Sequence, residues 1–300
     1  MIKCLILCTA QIAIVAMLVC CNSPEETEVP QSTHPVWSPD GSKIAFINNK
    51  VGVENGNPIN FEVFTMNTDG TNMKRHTDNT AFEADISWSP NSNMLAVKSY
   101  RDGNDEVYTI DLVTGEQTNI SNHLSRDDSP TWSSDGDAIY FSSQRDNEQG
   151  ELYSYAIESK ELTRLTTNDF AEIAAVWSPD GSQIAFVSDI DGDDDIYVID
   201  LLNQQLTQVT NNELNDWYPI WSPDGKTILY TYGDWNTDIW ELRTIAPDGS
   251  NEETILIRTD SGNATWSPDG NQIAYGSSKN GTGEIYVYNL ENRSERQITK

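Results

Sequence analysis

Six near-copies of one phrase run through the chain: VWSPDGSKIAF, SWSPNSNMLAV, TWSSDGDAIYF, VWSPDGSQIAF, IWSPDGKTILY and TWSPDGNQIAY. Their tryptophans, Trp37, Trp88, Trp132, Trp177, Trp221 and Trp266, are spaced by 51, 44, 45, 44 and 45 residues. A period near 45 belongs to propeller blades rather than to helical solenoids. Each copy has the same anatomy: a short strand ending at the tryptophan, a Ser-Pro-Asp-Gly turn, an apolar strand such as QIAFVS, an acidic turn, a strand such as DIYVID, a turn, and a closing strand such as LTQVT. The pattern predicts an all-β, six-bladed β-propeller of four-stranded antiparallel blades.

In Ser38-Pro39-Asp40-Gly41 the proline presets a turn angle, the aspartate bonds the local backbone and the glycine accepts positive φ. Strands such as IAFV are apolar at consecutive positions instead of alternating, so both sheet faces are covered. The repeated tryptophans are then packing residues between blades. Asp40, Asp135, Asp180, Asp224 and Asp269 are turn formers rather than a ring of catalytic acids, and the second copy replaces the acid with Asn91.

The string P-x-W-S-P-D-G-x-x-I-A-F, followed by D-G-x-x-x-I-Y-x-x-D and a closing L-T, resembles the WD40-like PD40 repeat of the TolB propeller family, from His34 to Thr299. The resemblance implies the propeller fold and says far less about function, because one fold hosts unrelated sites. TolB proteins are periplasmic and carry an α/β domain ahead of their propeller. Only a dozen residues separate the leader from the first blade here, so the role in the Tol-Pal machinery is not carried over.

Residues 1–21 read as a secretion signal, with Lys3 at the start and an apolar run from Leu5 to Val19. Leu18-Val19-Cys20-Cys21 resembles the lipobox of bacterial lipoproteins, which implies acylation of Cys21; Cys20 and an uncleaved anchor remain alternatives. All four cysteines fall in this leader, so the predicted propeller uses no disulfide. Residues 22–33 form a polar tether, and residues 34–300 the propeller. The expected setting is the bacterial cell envelope, an outer-membrane lipoprotein facing periplasm or cell surface, held to the membrane through its lipid alone. Without Lys3, 17 cationic residues stand against 47 acidic ones, a net charge of −30. Phosphate neutralisation drives nucleic-acid binding, so that class of partner is excluded. Cations, basic protein surfaces and neutral glycans remain, and a monomer is expected.

Chain direction reverses at each turn, so the loops joining second to third strands share one face with the inter-blade loops. The Pro-Asp-Gly turns lie on the other. The first face varies between blades, and function concentrates on variable loops over a rigid scaffold. It carries three candidates. The run Asp189-Ile190-Asp191-Gly192-Asp193-Asp194-Asp195 packs five carboxylates into seven residues. It reads either as a solvated hairpin turn or as a Ca²⁺ site through Asp189, Asp191, Asp193 and Asp195; the EF-hand pattern would place glycine at Asp194. The fifth repeat adds Trp217 and Trp235 in predicted loops, with Tyr218 and Tyr232 near them, suited to a protein or sugar partner or to packing at the channel rim. Trp240 replaces a third-strand tyrosine and is expected in the core. The first repeat contains a longer loop, Asn48 to Asn60, a tolerated insertion or a gate for the channel.

There is no G-x-S-x-G elbow. His34, His76 and His123 do not converge: strand spacing puts the first two roughly 14 Å apart. The favoured expectation is a non-catalytic, lipid-anchored binding or scaffold protein presenting one propeller face, with Asp216 and Asp234 beside the aromatics, to an envelope protein or glycan, with no cofactor beyond Ca²⁺. The alternative is a glycan lyase or hydrolase using Asp216 and Asp234 at the channel mouth.

Overall fold

The computed structural model describes residues 31–49, 61–167, 173–234, 239–258 and 263–300. Blade one comprises β1 (Ser32–Trp37), β2 (Lys43–Asn48), β3 (Glu62–Asn67) and β4 (Lys74–Arg75). Blade two comprises β5 (Glu83–Trp88), β6 (Met94–Ser99), β7 (Glu106–Asp111) and β8 (Gln117–Asn119). Blade three follows with β9 (Asp127–Trp132), β10 (Ala138–Ser143), β11 (Glu151–Ala156) and β12 (Leu162–Arg164). Blade four holds β13 (Ile173–Trp177), β14 (Gln183–Ser188), β15 (Asp195–Asp200) and β16 (Leu206–Gln208). Blade five holds β17 (Asn215–Trp221), β18 (Ile228–Asp234), β19 (Ile239–Ile245) and β20 (Glu253–Arg258). Blade six closes the series with β21 (Ala264–Trp266), β22 (Gln272–Ser277), β23 (Glu284–Asn289) and β24 (Glu295–Gln297). Each sheet contains four consecutive strands, all antiparallel, so the predicted six-bladed propeller is the observed fold.

The turn chemistry is as expected. Ser38 donates its hydroxyl to Asp40 at 2.7 Å and accepts the Lys43 backbone N–H at 2.9 Å. Ser133, Ser178, Ser222 and Ser267 repeat the bond to Asp135, Asp180, Asp224 and Asp269, and Ser89 bonds Asn91. These bonds hold the Asp180 carboxyl down at a pKa of about 2.

Six apolar clusters occupy the six blade interfaces. The second strands show why they are apolar throughout: Ala45 and Ile47 face blade two, while Ile44 and Phe46 face blade six. The tryptophans sit between blades, Trp88 donating its indole N–H to the Val36 carbonyl at 3.0 Å and Trp221 to that of Val176 at 3.1 Å. Trp240 is core, 2% exposed.

The ring closes without strand exchange among the described residues. Blade one packs on blade six through Trp37, Phe46, Phe64, Ile285 and Ile298. Gln31 also bridges Gly283 in parallel, with the Ser32 N–H on the Gly283 carbonyl at 2.7 Å. The propeller therefore includes Gln31, three residues before the expected boundary at residue 34. The leader with Cys20 and Cys21, most of the tether, and the Asn48–Asn60 loop beyond Asn49 lie outside the described residues.

Candidate functional site

The first strand of a blade carries a register irregularity ahead of its tryptophan, between Thr33 and Val36 in β1, Ala84 and Ser87 in β5, Ile173 and Val176 in β13, and Trp217 and Ile220 in β17. The bulged residue takes positive φ: His34 (53°), Asp85 (47°), Ser129 (53°), Ala174 (52°) and Tyr218 (56°). Non-glycine residues seldom adopt this region, and here the bulge turns one side chain per blade into the central channel. With Asn263 these residues line a cavity of about 240 Å³.

Fixed charge fills one sector of that cavity. Lys98, 4% exposed, meets Asp85 at 2.7 Å. The Arg126 guanidinium meets Asp128 at 2.7 Å and Asp105 at 3.2 Å. Burial alone would raise the Asp85 pKa, but the Lys98 ammonium prevails and holds it below the usual carboxylate value. Burial would lower the Lys98 pKa, and Asp85, Asp128 and Asp105 together raise it. Burial lowers the His34 pKa, and its Nδ1 lacks a hydrogen bond. Asp105 opens from the turn before β7 and Arg126 from the loop before β9, so this network sits at the mouth on the variable face.

The blade-five candidates are arranged differently from expectation. Trp217 is not an exposed loop residue: β17 starts at Asn215, and Trp217 is 3% exposed, tilted against Tyr218 with ring centroids 6.1 Å apart. Its neighbour Tyr218 points into the channel, its pKa pushed up to about 12 by burial. Tyr232 lies under the Arg243 guanidinium, 3.5 Å from its ring centre. Asp216 is 0% exposed, taking the Asn212 amide at 2.7 Å; burial pushes its pKa up to about 8, so it is no free acid at a channel mouth. Asp234 ends β18, Trp235 lies outside the described residues, and the side chain of Asp234 is likewise undescribed.

In the acidic turn, Asp191, Asp193 and Asp195 bring carboxylate oxygens within 4.8 Å of one another, while Asp189 is not part of that group. Burial, then the charges of Asp189, Asp193 and Asp195, push the Asp194 pKa up to about 6. The three histidines do not come together. His34 faces the channel, His76 bonds Thr65 at 2.8 Å, and the His123 ring accepts the Ser125 N–H at 3.1 Å.

The channel network of Asp85, Lys98, Asp105, Arg126 and Asp128 was not among the sequence candidates. One signal pointed to it. Lys98 stands where the other second strands have Ile47, Ser142, Val187, Thr231 and Gly276, and Asp85 occupies the position third before the tryptophan, which differs in all six copies.

The model of the PD40 family, the TolB β-propeller domain, matches residues 32–172 and 157–235. The Tol-Pal system protein TolB of Francisella tularensis is 33% identical over 112 residues, 36% of this chain and 25% of the relative, so the match spans about a quarter of that protein's length. Among solved structures, a putative TolB from Agrobacterium tumefaciens superposes with a TM-score of 0.68 at 23% identity, covering 80% of this chain and 87% of that one. TolB from Acinetobacter baumannii gives 0.71 at 18% identity over 94% and 66% of the two chains. An oligogalacturonate lyase in complex with manganese gives 0.60 at 14% identity over 91% and 78%, a likeness of fold alone. With more than half its length matched by the family model and six blades in the expected order, the chain belongs to the TolB β-propeller domain family.

Proposed function

We propose that this protein is a non-catalytic, lipid-anchored binding propeller of the bacterial cell envelope, a monomer that presents its variable face and channel mouth to an envelope protein. The observation that carries this reading is the channel mouth itself, where Lys98–Asp85 and Arg126–Asp105–Asp128 form largely buried ion pairs. Fixed charge pairs of this kind set register and specificity for a partner more than raw affinity. Around them Tyr100, 52% exposed, and Leu124, 93% exposed, supply apolar anchors on the same face. The names of the TolB relatives place those proteins in the Tol-Pal system, which favours a protein over a glycan as the partner. A glycan-processing enzyme built on Asp216 and Asp234 loses support from the burial of Asp216.

The test is a crosslinking capture from native envelopes with the wild type beside Tyr100→Ser/Leu124→Ser and Arg126→Gln. One protein, identified by mass spectrometry and reduced at least tenfold in both variants, with Tyr100→Ser/Leu124→Ser at unchanged thermal stability, is the expected result. Equal capture by all three proteins removes the face assignment, and turnover of envelope oligosaccharides by the wild type would replace the reading. Anchoring is tested separately: Cys21→Ser is expected to abolish acyl-chain incorporation, whereas Cys20→Ser is expected to retain it.

A further inference from the structure

Buried acids recur at the blade junctions, one opening the third strand of a blade and one opening the first strand of the next. Between blades one and two, Glu62 and Glu83 are both 0% exposed; Arg75 meets Glu62 at 2.9 Å and Arg101 meets Glu83 at 3.0 Å. In blade three, Arg145 meets Asp127 at 3.1 Å and Arg164 meets Glu151 at 2.7 Å. The cations come from two fixed positions: two residues past the end of the second strand (Arg101, Arg145) and in the fourth strand (Arg75, Arg164). Blade six keeps a cation at the first of these, Lys279, 3.8 Å from the centre of the Tyr286 ring.

Blade four has lost both, with Ile190 and Gln208 in their places. At its junction with blade five, Asp195 and Asp216 are both 0% exposed and stand against one another. Among the described residues no lysine, arginine or histidine pairs with either, or with Asp191 or Asp193. Their hydrogen-bond donors are neutral. The Gln208 amide reaches Asp191 at 2.5 Å and Asp195 at 3.0 Å, the Thr210 hydroxyl reaches Asp195 at 3.0 Å, and the Asn212 amide reaches Asp216 at 2.7 Å.

Three polar atoms here are buried without a hydrogen bond: Asp193 Oδ2, Asp216 Oδ1 and the Tyr197 hydroxyl. Asp216 and Tyr197, 0% and 3% exposed, both point into the cluster, Asp216 against Asp195 and Tyr197 among Asp191, Asp195 and Asp193. In blades two and three the equivalent tyrosines, Tyr108 and Tyr153, donate to Asp102 and Asp146. A carboxylate cluster with buried, unsatisfied groups aimed at it and its usual cations removed is a site for a positive ion.

The geometry points to a Ca²⁺ site at the junction of blades four and five, in which Asp191, Asp193 and Asp195 each supply a carboxylate oxygen and the ion takes the part that arginine plays in blades one to three. Ca²⁺–oxygen distances of 2.3–2.6 Å allow two ligands of one ion to stand up to about 5 Å apart; the observed limit of 4.8 Å fits. All the donors are oxygens, which suits Ca²⁺ rather than Zn²⁺. The exposed turn at Asp191 and Gly192 leaves room for the waters or carbonyls that complete six to eight ligands. Asp216 is a positioning residue behind Asp195.

Calorimetric titration of the full-length protein with CaCl₂, beside Asp193→Asn and Ile190→Arg, tests this. Expected is one saturable site with a Kd of about 0.1–1 mM, the range of extracellular modules, weakened at least tenfold in both variants and not reproduced by MgCl₂ at equal ionic strength. Ile190→Arg restores the side chain that blades two and three carry, so it is expected to unfold no earlier than the metal-free wild type; its loss of Ca²⁺ thus separates a metal site from damage to the fold. No saturable binding up to about 10 mM, tenfold beyond that range, overturns the inference. So does binding that survives both substitutions, or equal binding of Mg²⁺.

Discussion

Removing one end of the Lys98–Asp85 pair is expected to cost nearly as much stability as removing both. The side chains are 5% and 25% exposed and 2.7 Å apart. Breaking a buried pair strands the remaining charge, at about 3–5 kcal/mol, so removing the second partner as well adds little. Asp85→Asn leaves the ammonium near Asp128 and Asp105, so its cost falls below that range, at about 2 kcal/mol. Lys98→Met leaves Asp85 near Asp105 and Asp128 with Arg126 as the neighbouring cation, at about 3 kcal/mol. With the double variant also at about 3 kcal/mol, the coupling is about 2 kcal/mol, within the range for residues in contact. Urea unfolding of the four proteins at pH 7 with a common m-value measures it. The folded Asp85 pKa is depressed, so its contribution is present above about pH 4 and lost as pH falls through the folded value. The folded Lys98 pKa is raised, so its contribution is present below about pH 10 and lost as pH rises through the folded value. Additive single costs, with a coupling under about 0.5 kcal/mol, would refute the view that the channel charges act as one fixed unit.

Three further outcomes follow from the packing and titration. Phe46→Ala, at a fully buried position in the cluster joining blades one and six, is expected to lose about 3–5 kcal/mol in urea unfolding; a loss under about 1 kcal/mol would mean that this cluster does not close the ring. Ser178→Ala removes the hydroxyl that serves Asp180 and the Gln183 N–H and should cost about 1–2 kcal/mol through the stranded donor, read from the urea midpoint. Burial first, then Lys74 and Lys43, lowers the His76 pKa to about 4. The unfolded chain therefore takes up this proton first, and stability falls as pH drops from about 6.5 toward 4. After discounting for the partial exposure of the ring, the effect is about 1–2 kcal/mol. His76→Gln should flatten that part of the stability–pH curve, and superimposable curves would refute the assignment.

The repeat was legible because its signals are local: a serine and, two residues on, an aspartate or Asn91 fix each turn, and a doubly apolar strand states that both faces are covered. Blade five was misread for an equally local reason. The bulge at Tyr218 puts β17 out of phase with simple alternation, so NDWYP has the look of a loop although Trp217 is turned inward and Tyr218 into the channel. The channel network escaped because its members come from Asp85, Lys98, Asp105, Arg126 and Asp128 on two blades, and only the closed ring sets them beside His34 and Tyr218. The acidic turn was seen, but its meaning depended on Ile190 and Gln208, whose significance appears only when the blades are superposed on one another.

The two faces of the ring differ in how much change they tolerate, and the cause is steric. On the Pro-Asp-Gly face each turn touches the next: a Cβ at Gly41 would stand 3.9 Å from Pro268, and one at Gly225 would stand 3.6 Å from Pro179, with φ of +72° and +68° already demanding glycine. Neighbouring turns there are in van der Waals contact and each holds a positive φ, which favours the same residues in each copy. The opposite face is built from turns such as Gly103 and Gly192, where an added Cβ would meet nothing within 4 Å. A side chain at either of these two turns would meet no neighbouring blade, whereas Gly283 on the same face is held against Gln31 where the ring closes. Both departures from the repeat, the charge network of blades two and three and the cation-depleted junction of blades four and five, lie there. A site that uses charge to choose its partner can therefore change in this scaffold without disturbing the packing that holds six blades together.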